Sequence, residues 1–312
     1  MEPHTRSHDN IAHVSLTETT QLPRSQFKIY SKQFPELREH VSSFCDNKTL
    51  FNYAQCSKLC NQEIQKFDNV APRVINLEHD EKTGGTKVIL NYEHLSRDVV
   101  YNCEPVTKLE YGLEEALKVI DKRLKYAKIV LPTTIQLDLK KWPTNIMKHK
   151  KVVQIHRAVI KISRGMYEEF LDFLNNSRIT NLTLKPQTGS TFSIPNSFFD
   201  SRGYKRLNLA QFDMDTRMSE EQFLSSEPIL LNVQSPLISV AAINRKIQNW
   251  YDRASPSEIR FIFISSKPEF VNFSPKDDFR RVSNWESTLQ RTDGQMGHLY
   301  FSEGTIIFRA LI

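Results

Sequence analysis

Five short apolar bursts recur through the second half of the chain: VVQIHRAVIKI, ITNLTLKP, YKRLNLAQF, PILLNVQ and EIRFIFIS. Runs of this length, rich in Val, Ile, Leu and Phe, read as buried strands. Amphipathic helices are expected in the intervals. Met166, Phe170 and Leu174 form one stripe, Val240, Ile243, Ile247 and Trp250 a second, and Phe279, Val282 and Leu289 a third, following a 3.6-residue period. Ser219 with Gln222 supplies a capping box for a further short helix. A helix placed between two strands lets them run parallel, because the crossover returns the chain to the end of the sheet it left. The expected fold is therefore α/β, with alternating strands and helices.

Leu182, Leu207 and Leu231 are separated by 25 and 24 residues, and Phe261 lies 30 further on. Strand–helix units of that size build a leucine-rich-repeat-like solenoid. No unit carries the full leucine-and-asparagine consensus, so a degenerate repeat and a non-repetitive α/β domain both fit. The chain closes with HLYFSEGTIIFRALI, read as a C-terminal β-hairpin turned at Glu303-Gly304 and lying at the sheet edge.

Upstream, RVINLEHD alternates like a strand through Val74, Asn76 and Glu78, and Thr83-Gly84-Gly85 turns it into KVILNYEHL as a hairpin. A helix follows in YGLEEALKVIDKRLKYA. Its apolar stripe is Leu113, Leu117, Ile120 and Leu124; Glu114 and Glu115 sit early, and Lys122, Arg123 and Lys125 late, matching the helix dipole. Residues 1–24 are rich in Ser, Thr and His without apolar periodicity and read as a flexible tail. That gives three regions: the tail, a helical module over 25–70 and an α/β domain over 71–312.

The chain is 39% apolar, 25% charged and 10% aromatic, as expected for a globular protein able to bury a substantial core. MEPHTRSHDN has no apolar core of the kind that heads a secretion signal. Cys45, Cys56 and Cys60 crowd together while Cys103 stands apart, so reduced thiols and a cytoplasmic or nuclear location are expected. The formal charge of +6 permits acidic partners. The basic run KKWPTNIMKHKK contains Trp142 alone among aromatics, and reads as a solvated connection rather than a nucleic-acid site.

The sequence contains no G-x-G-x-x-G, Walker loop, H-E-x-x-H or G-x-S-x-G. Cys56 and Cys60 lack a second pair at zinc-finger spacing. Asp213 and Asp215 begin like a calcium loop, but Met218 and Ser219 follow where Gly and further oxygens are needed. No catalytic residue, cofactor or metal is assigned.

The remaining signal lies in FPELREHVSSFCDNKTLFNYAQCSKLCNQEI. Phe34-Pro35 suits a helix start. Leu37, Val41 and Phe44 continue an apolar stripe, Asp46–Thr49 makes a turn, and Leu50, Tyr53, Ala54 and Ser57 resume helical spacing. This segment resembles the F-box pattern: Phe34-Pro35, Val41, Phe44-Cys45-Asp46, Leu50, and then Cys56-Ser57-Lys58 at the family's interval. Residues 71–312 are similar in texture to the F-box-associated regions of the nematode-expanded families, above all in INRKIQNWYDRASPSEIRFIFI. The resemblance implies a non-enzymatic substrate receptor of a Skp–cullin–F-box ubiquitin ligase. Phe34, Pro35, Leu37, Val41, Phe44, Leu50 and Cys56 would then meet the Skp-type adaptor, and the α/β domain would hold a protein target.

Overall fold

The structure, a computed structural model, describes Thr49 and residues 72–92, 99–103, 112–124, 133–252, 260–264, 280–283, 286–302 and 304–311. The chain divides into two units, Met1–Cys45 and Asp46–Ile312, and every described residue belongs to the second.

Strands β1 (Val74–His79), β2 (Thr86–Asn91) and β3 (Val99–Cys103) form an antiparallel ribbon. The expected hairpin at Thr83–Gly85 is present, with Gly84 at φ 75°, a left-handed conformation natural to glycine. Helix α1 (Leu113–Leu124) crosses to β4 (Thr134–Asp138), which pairs parallel with β1. From there strand and connection alternate. Helix α2 (Thr144–Met147) leads to β5 (Arg157–Ile162), and α3 (Tyr167–Asn176) to β6 (Asn181–Pro186). Two 3₁₀ turns, Asn196–Asp200 and Tyr204–Arg206, lead to β7 (Leu209–Asp215). Helix α4 (Glu220–Ser225) leads to β8 (Leu230–Gln234), and α5 (Val240–Asp252) to β9 (Arg260–Ile264). Strands β4 to β9 are parallel, each hydrogen-bonded to the next in chain order.

The last four strands, β10 (Arg280–Arg281), β11 (Glu286–Gln290), β12 (Met296–Ser302) and β13 (Thr305–Leu311), pair antiparallel. The whole sheet runs β10-β11-β12-β13-β9-β8-β7-β6-β5-β4-β1-β2-β3. Two expectations are corrected here. The terminal hairpin forms as β12 and β13 but is internal: β13 pairs with β9, and β12 with β11. The amphipathic helix expected through Phe279, Val282 and Leu289 is absent where the structure describes the segment. Val282 is 58% exposed after β10, and Leu289 is buried in β11. Residues 286–290 alternate in burial with a period of two and pair with β12, so strand pairing prevails there over the helical spacing.

Across the parallel strands one face is buried throughout. Ile75, Ile135, Ala158, Leu182, Ala210 and Leu231 form one register column, and each is at most 2% exposed. Leu207, the middle member of the expected leucine spacing, lies before β7, and Ala210 occupies its place in the column. The helical stripes close over this face. Phe170, Leu174, Ile243, Ile247 and Trp250 are buried, with Trp250 edge-on to Phe308 of β13 at 5.1 Å.

Beneath β5–β7, Phe170, Phe198, Phe199, Tyr204 and Phe212 interlock at centroid distances of 5.1–6.5 Å. Most of these contacts are edge-on or tilted, as aromatic quadrupoles favour. Phe198 and Phe199 lie on the 3₁₀ turn, so rings stand where a longer helix is missing. The turn is held to α3 by Asn175 Oδ1, which accepts the Gly203 N–H at 2.7 Å. A Cβ on Gly203 would approach Leu174 Cγ to 2.6 Å, so only glycine fits. The expected capping box is present: Ser219 Oγ accepts from Gln222 N, and the Gln222 side chain accepts from Ser219 N. Lys246 of α5 donates to the carbonyls of Phe223, Leu224 and Ser226, satisfying acceptors that the end of α4 leaves open.

Phe198 is fully buried among four rings. Phe198→Ala is expected to lower unfolding free energy by about 3–5 kcal/mol, measured by urea denaturation. Ser219→Ala is expected to cost about 1 kcal/mol.

Candidate functional site

The helices leave the opposite face of the sheet without a helical layer among the described residues. Side chains alternate along a strand, so the residues between the buried columns point there, and the register sets them in rows. One row reads Asn76, Gln136, Val159, Thr183, Gln211 and Asn232, all partly exposed. Five of these six side chains offer amide or hydroxyl groups, at the spacing of neighbouring strands of about 4.8 Å. Beside it lies a charged row. Glu78 pairs with Asp138 in register and Lys161 with Lys185; Asp138 forms an ion pair with Lys161, and Lys185 with Asp213 at 3.5 Å. The signs run acid, acid, base, base, acid across five strands. Asp213 and Asp215, which open like a calcium loop in the sequence, belong to β7 at this end of the face. The strand register shifts between Gln211 and Asp215.

Partly exposed ion pairs contribute modestly to stability. Several groups of the rows already pair with one another: Asn76 donates to Glu78 at 2.5 Å and Gln211 to Asp213 at 2.8 Å. Asn232 Oδ1 is buried without a hydrogen-bond partner. The surface suits a broad polar contact with another macromolecule better than enclosure of a small molecule.

A concavity of about 1130 Å³ opens at the carboxyl ends of β5–β7. Its wall combines Ser163, Ser190, Thr191, Ser193 and Ser197 with Arg164, Arg217 and Glu168 over a Tyr167–Phe192 ring contact at 5.6 Å. Among the described contacts no serine hydroxyl of this wall is hydrogen-bonded to a carboxylate or imidazole that could act as its base. Among the described residues no cluster of three His, Cys, Asp or Glu side chains could hold a metal. Cys103, the one cysteine described, is buried; desolvation, aided by the carboxylate of Glu115, pushes its thiol up to about 11, which disqualifies it as a thiolate at neutral pH. Trp142 of the basic run is buried against Phe170 and Phe173, so the run's aromatic is part of the core.

The seven residues expected at an adaptor interface, Phe34, Pro35, Leu37, Val41, Phe44, Leu50 and Cys56, lie outside the described residues. Within that stretch Thr49 alone is described, as helical and exposed. No helix among the described residues is long and apolar enough to cross a membrane. No family model matches the chain, and no curated protein or solved structure is significantly similar to it.

Two outcomes check these assignments. Lys161→Ala should change unfolding free energy by less than about 1 kcal/mol, whereas Ile160→Ala, one residue away on the buried face, should cost about 2–5 kcal/mol. Cys103 should resist iodoacetamide at pH 7 in the native protein and alkylate readily in urea, read by peptide mass spectrometry.

Proposed function

We propose that the chain is a substrate receptor of a Skp–cullin–F-box ubiquitin ligase. Residues 34–64 dock on the Skp-type adaptor, and the bare face of the parallel sheet captures a protein target. The observation that carries the target-binding half is the pair of polar and charged rows on β1 and β4–β8. The adaptor-binding half rests on the spacing of Phe34-Pro35, Val41, Asp46, Leu50 and Cys56-Ser57-Lys58. A small helical module with an apolar stripe gains stability by laying it against a partner's helices. The receptor needs no catalytic group, because holding a target near a ubiquitin-charged enzyme raises its effective concentration. We read the sheet region as leucine-rich-repeat-like and degenerate. Parallel strands in chain order, with connections on one face, support that reading; the unequal intervals between column residues account for its missing consensus. The cytoplasm or nucleus is the matching location.

A second reading is favoured by Cys60, which stands where the F-box pattern carries a bulky residue. In it the sheet binds its partner with no adaptor and no role in ubiquitin transfer.

Co-purification with the Skp-type adaptor separates the two. Wild type should be retained, and Pro35→Ala combined with Leu50→Asp should lose adaptor binding with its far-UV circular dichroism unchanged. A wild-type chain that fails to bind the adaptor selects the second reading.

A further inference from the structure

The two ends of the sheet are built differently. β10 is two residues long, and both are exposed arginines, the short, charged edge that discourages pairing with another chain. β3 is five residues, Val-Val-Tyr-Asn-Cys, with no charge and no proline, and Val100 on it is 46% exposed. An uncharged strand with a free row of backbone donors and acceptors is a template for a further strand.

Helix α1 indicates which strand. It packs on both β2 and β3, so it lies above the gap between them at this border of the sheet. Its orientation is fixed from two sides. The Arg123 guanidinium sits 5.1 Å from the Tyr101 ring of β3, while Asp121 meets His149, beyond β4, at 3.3 Å. The flank turned toward the border therefore carries Glu115, Val119 and Lys122, spaced i, i+4 and i+7 on one stripe. Glu115 and Lys122 are exposed and Val119 is partly buried.

We propose that this border joins a second copy of the same chain: β3 pairs antiparallel with β3 of the other copy about a two-fold axis, and the two α1 helices lie side by side across it. Strands about 4.8 Å apart put α1 about 5 Å from such an axis and the paired helices about 10 Å apart, the separation at which helices pack. The two-fold axis makes the helices antiparallel. Glu115 of each copy then faces Lys122 of the other, with the two Val119 side chains between them. The flank is thus complementary to itself, as an isologous contact requires. At the strand level, pairing centred on Tyr101 sets Val100 opposite Asn102 with no charge on either side.

The test is light scattering coupled to size exclusion on the full chain over a concentration series. Wild type is expected to approach twice the chain mass as concentration rises. Glu115→Lys alone and Lys122→Glu alone should each weaken self-association about tenfold. An equimolar mixture of the two variants should regain the wild-type affinity, because one copy then presents only cations on the flank and the other only anions. Val100→Lys with Asn102→Lys should give the monomer, and thermal melts by circular dichroism verify that each variant is folded. A wild type that stays at the chain mass throughout, or single variants that associate as tightly as wild type, or a mixture that stays as weak as its components, overturns the proposal.

Discussion

A strand–helix–strand crossover between parallel neighbours takes one hand almost without exception, and here strands β4 to β9 occupy the sheet in the order in which they are made. Every connection is therefore laid over the same face. The buried columns from Ile75 to Leu231 follow from that single constraint, and so does the polarity of the other face. Parallel sheets are ordinarily covered on both sides and read as continuous apolar runs. These strands alternate, with Arg157, Val159 and Lys161 outward and Ala158, Ile160 and Ile162 inward. Among the described residues no helix covers that second face, so it offers polar groups to another molecule without opening the core.

The fold is legible in the residues wherever the apolar period is strong. The stripes of α3 and α5, the capping box at Ser219, the first hairpin and the parallel direction of the later strands were all visible in the residues. Strands β3 and β4 carry a weaker signal. Each is five residues long, and apolar positions such as Tyr101 and Cys103 in one and Ile135 and Leu137 in the other make too short a run to stand out. Leu207 breaks the spacing because it ends the 3₁₀ turn Tyr204–Arg206, two residues before β7 begins, so it is buried ahead of the strand and Ala210 takes the place in the column.

The bare face was legible only strand by strand. Asn76, Gln136, Thr183, Gln211 and Asn232 are ordinary polar residues in the sequence, scattered over more than 150 positions. Only hydrogen-bond register lines them up. Likewise Asp138 and Lys161 become neighbours by pairing, not by proximity along the chain. The F-box-like spacing is the opposite case: it is entirely local, and so it could be read directly from the residues 34–58.

The lengths of the connections carry a further consequence. A helix is about twice as wide as the distance between adjacent strands, so full-length helices cannot sit abreast over every gap of a sheet that stays open and gently twisted. This chain alternates: ten residues in α3 are followed by 3₁₀ turns packed with phenylalanine, and four residues in α2 precede it. Bending of the sheet is thereby governed by the connectors, not by the strands. Lengthening the Asn196–Arg206 segment into a true helix would wedge its neighbours apart and curl the polar rows inward, giving a differently contoured surface from the same thirteen strands.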